Sequence, residues 1–451
     1  MQTPPDFQPP PPGCPAHDSG QSVPLYGPEF AAAPETYYSY MRQFGPSAPV
    51  ELAPGVEAEL VTDYTEALRV LQNPKTFARD SRRWNALNEG RIPADSPVVG
   101  MMAYRPNLLF SDGAEHMRLR QAATDSLAKV DSHRLGRHVD QVASYLIDQF
   151  GAKGRADLVA DYAQQVPLLV FNDLFGCTED IGNRLVFGIS GIFDGIDVEK
   201  SQEVLIGALA ELVELKRTHP GDDITSWMMQ HPSALSTEEM IHQVFPMIAA
   251  GTEPVQNMIS SALRLLLSDD KYADSQGMAG LLVEDALNDV LWNYPPMANY
   301  GVHYPVHDVD LAGITLKAGD PVVISYAAAN TDPALVGNGR TMSKRAHLGW
   351  GAGPHVCPAK DPATLISLRA IEKLLNTLPD IDLAVPVESL TWRPGPFHRA
   401  LTSLPARFTP ARQAPRPAAQ AAAAPAEAQA QAQAKPKAAS RWSSFLNWLK
   451  A

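Results

Sequence analysis

Three stretches carry apolar residues at helical spacing: Arg134 to Phe150, Thr237 to Ser268 and Pro362 to Leu375. The second is the longest and closes on Ala262-Leu263-Arg264-Leu265-Leu266-Leu267. Short β-like runs lie at Glu57–Val61, Val309–Leu316, Pro321–Ile324 and Ala406–Phe408. Long helices, then hairpins, then a further helix predict a mainly α (α+β) fold in a single block over residues 25–410. No internal repeat interrupts it.

The two ends read differently. Residues 1–24 are dominated by proline and predict an extended or disordered arm. Residues 411–440 are mostly Ala, Gln and Pro, with prolines spaced to break any helix, and predict a tether. Within 441–451, Trp442, Phe445, Leu446 and Leu449 fall at i, i+3, i+4 and i+7 and predict a short amphipathic helix. It either docks on a partner protein or a membrane surface, or is an adherent tail without a role.

Composition narrows the function. The chain has 451 residues, 45% of them hydrophobic, so a substantial core forms. A net charge of −13 argues against nucleic acid as a partner. No uncharged apolar run is long enough to span a bilayer. Met1-Gln2-Thr3-Pro4-Pro5 has neither a basic nor an apolar segment, so no secretory leader is expected. Cys14, Cys177 and Cys357 lie too far apart for a zinc site or disulfide framework, and a cytoplasmic, reduced setting is expected.

The candidate chemistry centres on Trp350-Gly351-Ala352-Gly353-Pro354-His355-Val356-Cys357-Pro358-Ala359. Its glycines permit tight turns and close approach to something flat. Cys357 stands just before a predicted helix, where a thiol is readily ionised and can ligate a metal. The other reading is a buried cysteine in a glycine-rich loop.

This stretch resembles the cysteine loop of the cytochrome P450 family, the haem-thiolate monooxygenases, with Trp350 in place of the usual Phe and Ala359 in place of Gly. The resemblance covers about 25–408. It implies haem b (iron protoporphyrin IX), Cys357 as axial iron ligand, and His355, Trp350 and Gly351 in contact with the haem. His116-Met117-Arg118-Leu119-Arg120 resembles the segment whose His and Arg bind a propionate. The i, i+4 spacing puts His116 and Arg120 on one helix face, although such a pair also suits a solvated basic face. Ala250-Gly251-Thr252-Glu253 resembles the oxygen-binding groove of the family's long central helix. Ala327-Ala328-Ala329-Asn330-Thr331-Asp332-Pro333 resembles the passage after a strand in bacterial members.

Three positions depart from the family pattern. The usual helical Glu-x-x-Arg reads Asp289-Val290-Leu291-Trp292, as in an actinobacterial lineage that lacks the motif. Asp289 then needs another partner, for which Arg340 is the candidate, and Trp292 is expected to fill the lost guanidinium's space. Pro254 replaces the threonine that in the family helps deliver protons during dioxygen cleavage. Pro254 is expected to kink the helix. Thr252 lies two positions earlier, about 160° around the helix, and does not substitute. Glu253 with ordered water, Gln256, or a hydroxyl of the substrate remain as proton routes; in another reading Pro254 only shapes the groove. His303 falls where the family often places a propionate-binding Arg.

The substrate pocket is expected to take Trp84, Met101, Met102 and Tyr104 from one loop, and Phe245, Ile248 and Ala249 from the central helix. Met297, Asn299, Tyr300, Phe397 and His398 complete the set. The resemblance implies a monomeric enzyme of secondary metabolism that oxidises a small apolar molecule with electrons from a separate ferredoxin and ferredoxin reductase. Lys344, Arg345 and Lys360 are candidates for a basic docking face. Two rivals stand beside hydroxylation: oxidative coupling with substrate-assisted proton delivery, and a non-catalytic haem or ligand-binding component of a signalling complex.

Overall fold

Apolar surface decides the layout, because each amphipathic element must cover its stripe against another. The computed structural model describes residues 22–273, 279–337 and 343–410. Arg340, Cys14, the proline-rich arm up to residue 21, the tether and the 441–451 segment lie outside the described residues.

The longer helices are α1 (Tyr64–Gln72), α2 (Gly113–Leu127), α3 (Ser132–Phe150), α4 (Gln165–Leu174), α5 (Glu179–Asp194), α6 (Val198–Thr218), α7 (Thr237–Ser268), α8 (Ala279–Asn293) and α9 (Lys360–Thr377). The main core joins α3, α4, α7, α8 and α9, with Val139, Leu146, Ile259, Leu263, Val290, Ile366 and Leu374 essentially inaccessible. A second core lies between α5, α6 and the first half of α7.

The strands form small sheets. In the largest, Val23–Pro24 (β1), Ser47–Ala53 (β2), Val56–Val61 (β3), Phe77–Ala78 (β4), Asn299–Pro305 (β5) and Val322–Ser325 (β6) lie in the order β1-β2-β3-β6-β5-β4. Leu60 pairs with Val323 in the parallel β3–β6 contact, which fixes where the Ala327–Pro333 segment emerges. The predicted 309–316 run is a separate hairpin with Asp310 opposite Thr315.

The predicted central helix is α7, 32 residues long. Its start is a capping box: the Ser236 side chain accepts from the Glu239 N–H, and the Glu239 carboxylate accepts from the Ser236 N–H. Pro246 and Pro254 both sit inside it, and the helix runs on through them; the expected kink does not end it. Each proline frees the carbonyl four residues back. For Pro246 that is His242, whose carbonyl accepts from Asn107 Nδ2 at 3.2 Å.

The segment leading into the cysteine loop is held from three sides. Trp292 Nε1 donates to the Lys344 carbonyl at 2.8 Å. The Tyr64 hydroxyl donates to the Ala346 carbonyl at 2.6 Å. Asn330 is buried and bridges two elements: its Nδ2 donates to the Leu291 carbonyl at 2.9 Å, and its Oδ1 accepts from the Leu348 N–H at 2.7 Å. Beyond it, α1 presses against Gly353, where a Cβ would stand 2.2 Å from the Leu71 carbonyl oxygen.

Asn330→Ala strands two buried backbone groups and is expected to cost about 2–3 kcal/mol in urea unfolding; a change near zero would show that the bridge is not needed. Gly353→Ala combines a φ of +68° with that close approach, whereas Gly90 has φ +69° and open space. Gly90→Ala should therefore lose only the ~1–3 kcal/mol of backbone strain, and Gly353→Ala clearly more. Thermal unfolding of the two variants side by side checks this.

Candidate functional site

Backbone geometry aims the cysteine. Gly351 and Gly353 take φ of +70° and +68°, a region that side-chain-bearing residues avoid. With them the loop folds back on itself: the Gly351 N–H donates to the Leu348 carbonyl at 2.7 Å, and the Cys357 N–H to the Trp350 carbonyl at 2.8 Å. Cys357 and Trp350 thereby line an apolar cavity. The α7 residues Pro246, Ala250, Gly251 and Pro254 line the same cavity. Phe171 of α4 packs on Gly251 so closely that a Cβ there would lie 2.4 Å from its ring.

Burial pushes the Cys357 thiol above its ordinary pKa, while the Ala359 N–H and the cations Arg120 and Lys360 pull the other way. The sequence expectation of a ready thiolate is corrected here: α9 starts only at Lys360, and in the protein alone desolvation outweighs the helix terminus. A metal ion at the sulfur reverses that balance, because coordination removes the proton outright.

Beside the loop lies a cluster of cations and imidazoles. The His116 and His355 rings stack with centroids 4.0 Å apart. Arg120 Nη2 donates to the carbonyl of Val356 at 2.6 Å, one residue before the cysteine. His116 Nε2, Arg120 Nη1 and both ring nitrogens of His355 are buried without a hydrogen-bond partner. Burial drops the His116 pKa to about 4, helped by His355 and Arg120, and it lowers that of His355 as well. His303 is fully inside, bonded through Nδ1 to the Gly301 carbonyl, and burial holds it neutral. Arg79, which sequence reasoning did not single out, donates to the carbonyls of Leu109 (3.2 Å) and Val302 (2.9 Å) and lies over Tyr300. Asp112 Oδ1 stays 3.8 Å from His355 Nε2. So many buried donors around one carboxylate have the chemistry of a site for further anions. A sulfur ligand and a glycine lining one cavity, with unsatisfied donors suited to two propionates, fit haem b.

Glu253 does not face the cavity. Its carboxylate is buried and paired with Arg393, which also holds Asp194 at 2.9 Å. Thr252 turns its hydroxyl back to the Ile248 and Ala249 carbonyls. Gln256 is buried on the same helix. Nothing in the sequence around Arg393 announced that pairing.

Asp289 is half-buried rather than interior, and it is bound by Lys271 and the Tyr272 hydroxyl. Asp289 thus has partners among the described residues, and the expected partner Arg340 lies outside them. Trp292 packs edge-on against His347, 5.9 Å between centroids, and adds its bond to Lys344. Of the expected pocket residues, Met297 lines the cavity. The others sit elsewhere. Trp84 and Met102 are packed in a core with Tyr304. Asn299 is spent on the Tyr38 hydroxyl and the Pro396 carbonyl. Tyr300 donates to the Met101 carbonyl and meets Phe397 edge-on. Phe245, Ile248 and Ala249 pack between α7 and the α5–α6 pair. Tyr104 lies under the Arg82 guanidinium, and His398 is buried with an unpartnered Nε2. The wall residues missed are plain aliphatics, Leu108, Leu109, Val255 and Met258 among them, which look like any core residue in a sequence.

No family model matches the chain. It is 29% identical over 405 residues to the cytochrome P450 monooxygenase PikC of Streptomyces venezuelae, covering 86% of this chain and 94% of that protein. It is 24% identical to 6-deoxyerythronolide B hydroxylase of Saccharopolyspora erythraea, over 82% of this chain and 95% of that one. The solved structure of CYP154C4 from Streptomyces sp. W2061 superposes with a TM-score of 0.77 at 27% identity, covering 86% of this chain and 97% of that one. In sequence and in fold, over most of its length, the chain is similar to the bacterial cytochrome P450 monooxygenases, whose cofactor is haem b.

Proposed function

We propose that this chain holds haem b through Cys357 and oxidises an apolar or amphipathic small molecule of secondary metabolism, with electrons from a separate ferredoxin and its reductase. The observation that carries the reading is that Cys357 and Gly251 line one apolar cavity, with partnerless donors close to the cysteine loop. The haem supplies dioxygen activation when bound. His116, Arg120 and His355 would hold its propionates, with Arg79 and His303 behind them. The apolar walls exclude water and orient the substrate. Lys360 and Arg345 are exposed and remain available to an acidic redox partner, whereas Lys344 is engaged by Asp285 at 2.6 Å. The hydroxylase names of the relatives support a substrate of that general class.

Proton supply takes a form of its own here. Pro254 has no N–H to return to the Ala250 carbonyl, so an acceptor for water or a substrate hydroxyl lies on a helix turn that lines the cavity. Glu253 would join that route once Arg393 moves off its carboxylate. The pairing of Glu253 and the absence of a hydroxyl at 254 also favour a second reading, oxidative coupling in which the substrate brings its own proton path.

Two measurements separate these readings. The reduced, carbon-monoxide-treated protein should show the strongly red-shifted Soret band of a thiolate-ligated haem, and Cys357→Ala should lose it; a histidine-type band in the wild type would sink the proposal. In Glu253→Gln, product formed per electron should fall by about tenfold or more, with hydrogen peroxide rising in its place. Unchanged product would assign the proton path to the substrate.

A further inference from the structure

Among the described residues, buried guanidinium groups are compensated in several ways; Arg264, with Nε and Nη2 buried and unbonded, lies over the Tyr294 and Trp392 rings. Arg393 pairs with two carboxylates. Arg79 donates to two backbone carbonyls. Arg399 lies 3.6 Å over the Trp392 ring and bonds the Ala31 carbonyl. Arg105 is just as deeply placed, 9% exposed. Its hydrogen bond is a 3.5 Å contact from Nη1 to the Ala103 carbonyl, two residues back, at the limit of what counts as a bond. Among the described residues no carboxylate pairs with it. Its other contact is the face of Phe245, 5.2 Å to the centroid, and phenylalanine is a weaker cation–π surface than tryptophan. A buried cation so poorly compensated is costly unless a counter-charge arrives.

Arg105, His242, Phe245 and Tyr300 do not line the cavity themselves; they adjoin residues that do. Arg105 precedes Leu108 and Leu109, both on the cavity wall. Phe245 precedes the wall residues Pro246 and Met247, and Tyr300, which Arg105 influences electrostatically, follows Met297 on the same wall. His242, one turn before Phe245 on α7, also feels Arg105 and has a buried Nδ1 without a partner. The donors assigned to the propionates are a separate group: His116 and His355 respond to Arg79 and Arg120, and Arg105 is not among their influences.

We propose that Arg105, with His242 beside it, is the anchor for a carboxylate on the substrate, so that the enzyme takes an apolar carboxylic acid held by its acid end. This rests on the monooxygenase reading and names the substrate class for it. The guanidinium fork would accept the carboxylate in paired hydrogen bonds, leaving the apolar body along the cavity.

The test is calorimetric titration of the haem-loaded full chain with two acids of different shape, myristic acid and dehydroabietic acid, each against its methyl ester. At least one acid should bind about tenfold or more tightly than its ester. Arg105→Gln should erase that difference while leaving ester affinity and the carbon-monoxide spectrum unchanged, and Arg105→Lys should keep part of it. No acid preference in the wild type for either shape overturns the proposal and leaves the haem-thiolate reading standing. Loss of bound haem in Arg105→Gln, with the acid preference kept in Arg105→Lys and in whatever Arg105→Gln still binds, would also overturn it, assigning Arg105 to a propionate. Should Arg105→Gln fail to fold, the acid–ester comparison in the wild type and in Arg105→Lys still decides. An acid preference in a wild type lacking the thiolate band would keep the anchor and overturn the monooxygenase reading instead.

Discussion

Everything in the site depends on holding one loop in a backbone conformation that the chain would not adopt alone. Two residues at positive φ, Gly351 and Gly353, turn the loop so that Cys357 and α7 line one cavity. Such a loop has little internal stabilisation: a few backbone hydrogen bonds and a single 3-10 turn over Gly353–His355. It stays in place because its neighbours over-determine it. The α1 backbone presses on Gly353, Arg120 grips Val356, and three side chains tie down the segment before it. Strained functional loops persist where the surroundings fix them in this way.

That view explains how the protein does without the charged helical pair of the family pattern that it resembles. A buried Glu–Arg pair supplies charge-assisted bonds to the stretch before the cysteine, at a desolvation cost. Here the same stretch is fastened by neutral donors: the Trp292 indole, the Tyr64 hydroxyl and the Asn330 amide. Trp292 supplies one hydrogen bond and a large packing surface against His347. Asp289 moves to the half-buried edge with Lys271 and Tyr272, where its charge is cheap. Neutral bonds of about 1 kcal/mol each suffice when several converge on a few residues.

The central helix shows a second exchange. In α7, prolines stand where an N–H would close the helix, and the freed carbonyls acquire new roles. The His242 carbonyl goes to Asn107, which fixes the loop carrying Arg105 and Leu108. The Ala250 carbonyl belongs to the turn that faces the cavity. Meanwhile the acid of this helix is tied through Arg393 to Asp194 at the end of α5, so proton supply and the placement of α5 share one guanidinium.

The sequence by itself determined the cysteine loop, the long central helix, the His116–Arg120 face and the mainly helical fold, because each is a local pattern. Glycine spacing, helical periodicity and a run of ten residues carry their meaning without neighbours. Tertiary structure alone decided the partners: that Glu253 is bound by Arg393 140 residues away, that Asp289 turns to Lys271, and that Arg79 sits behind the histidines. It also decided the pocket. Trp84, Met102, Phe245 and Phe397 were expected there for their size and apolarity, and packing assigned them to the cores instead. An apolar side chain reads the same whether it faces a cavity or another apolar side chain, since both remove it from water. Which of the two it meets is settled only when the helices are laid against one another.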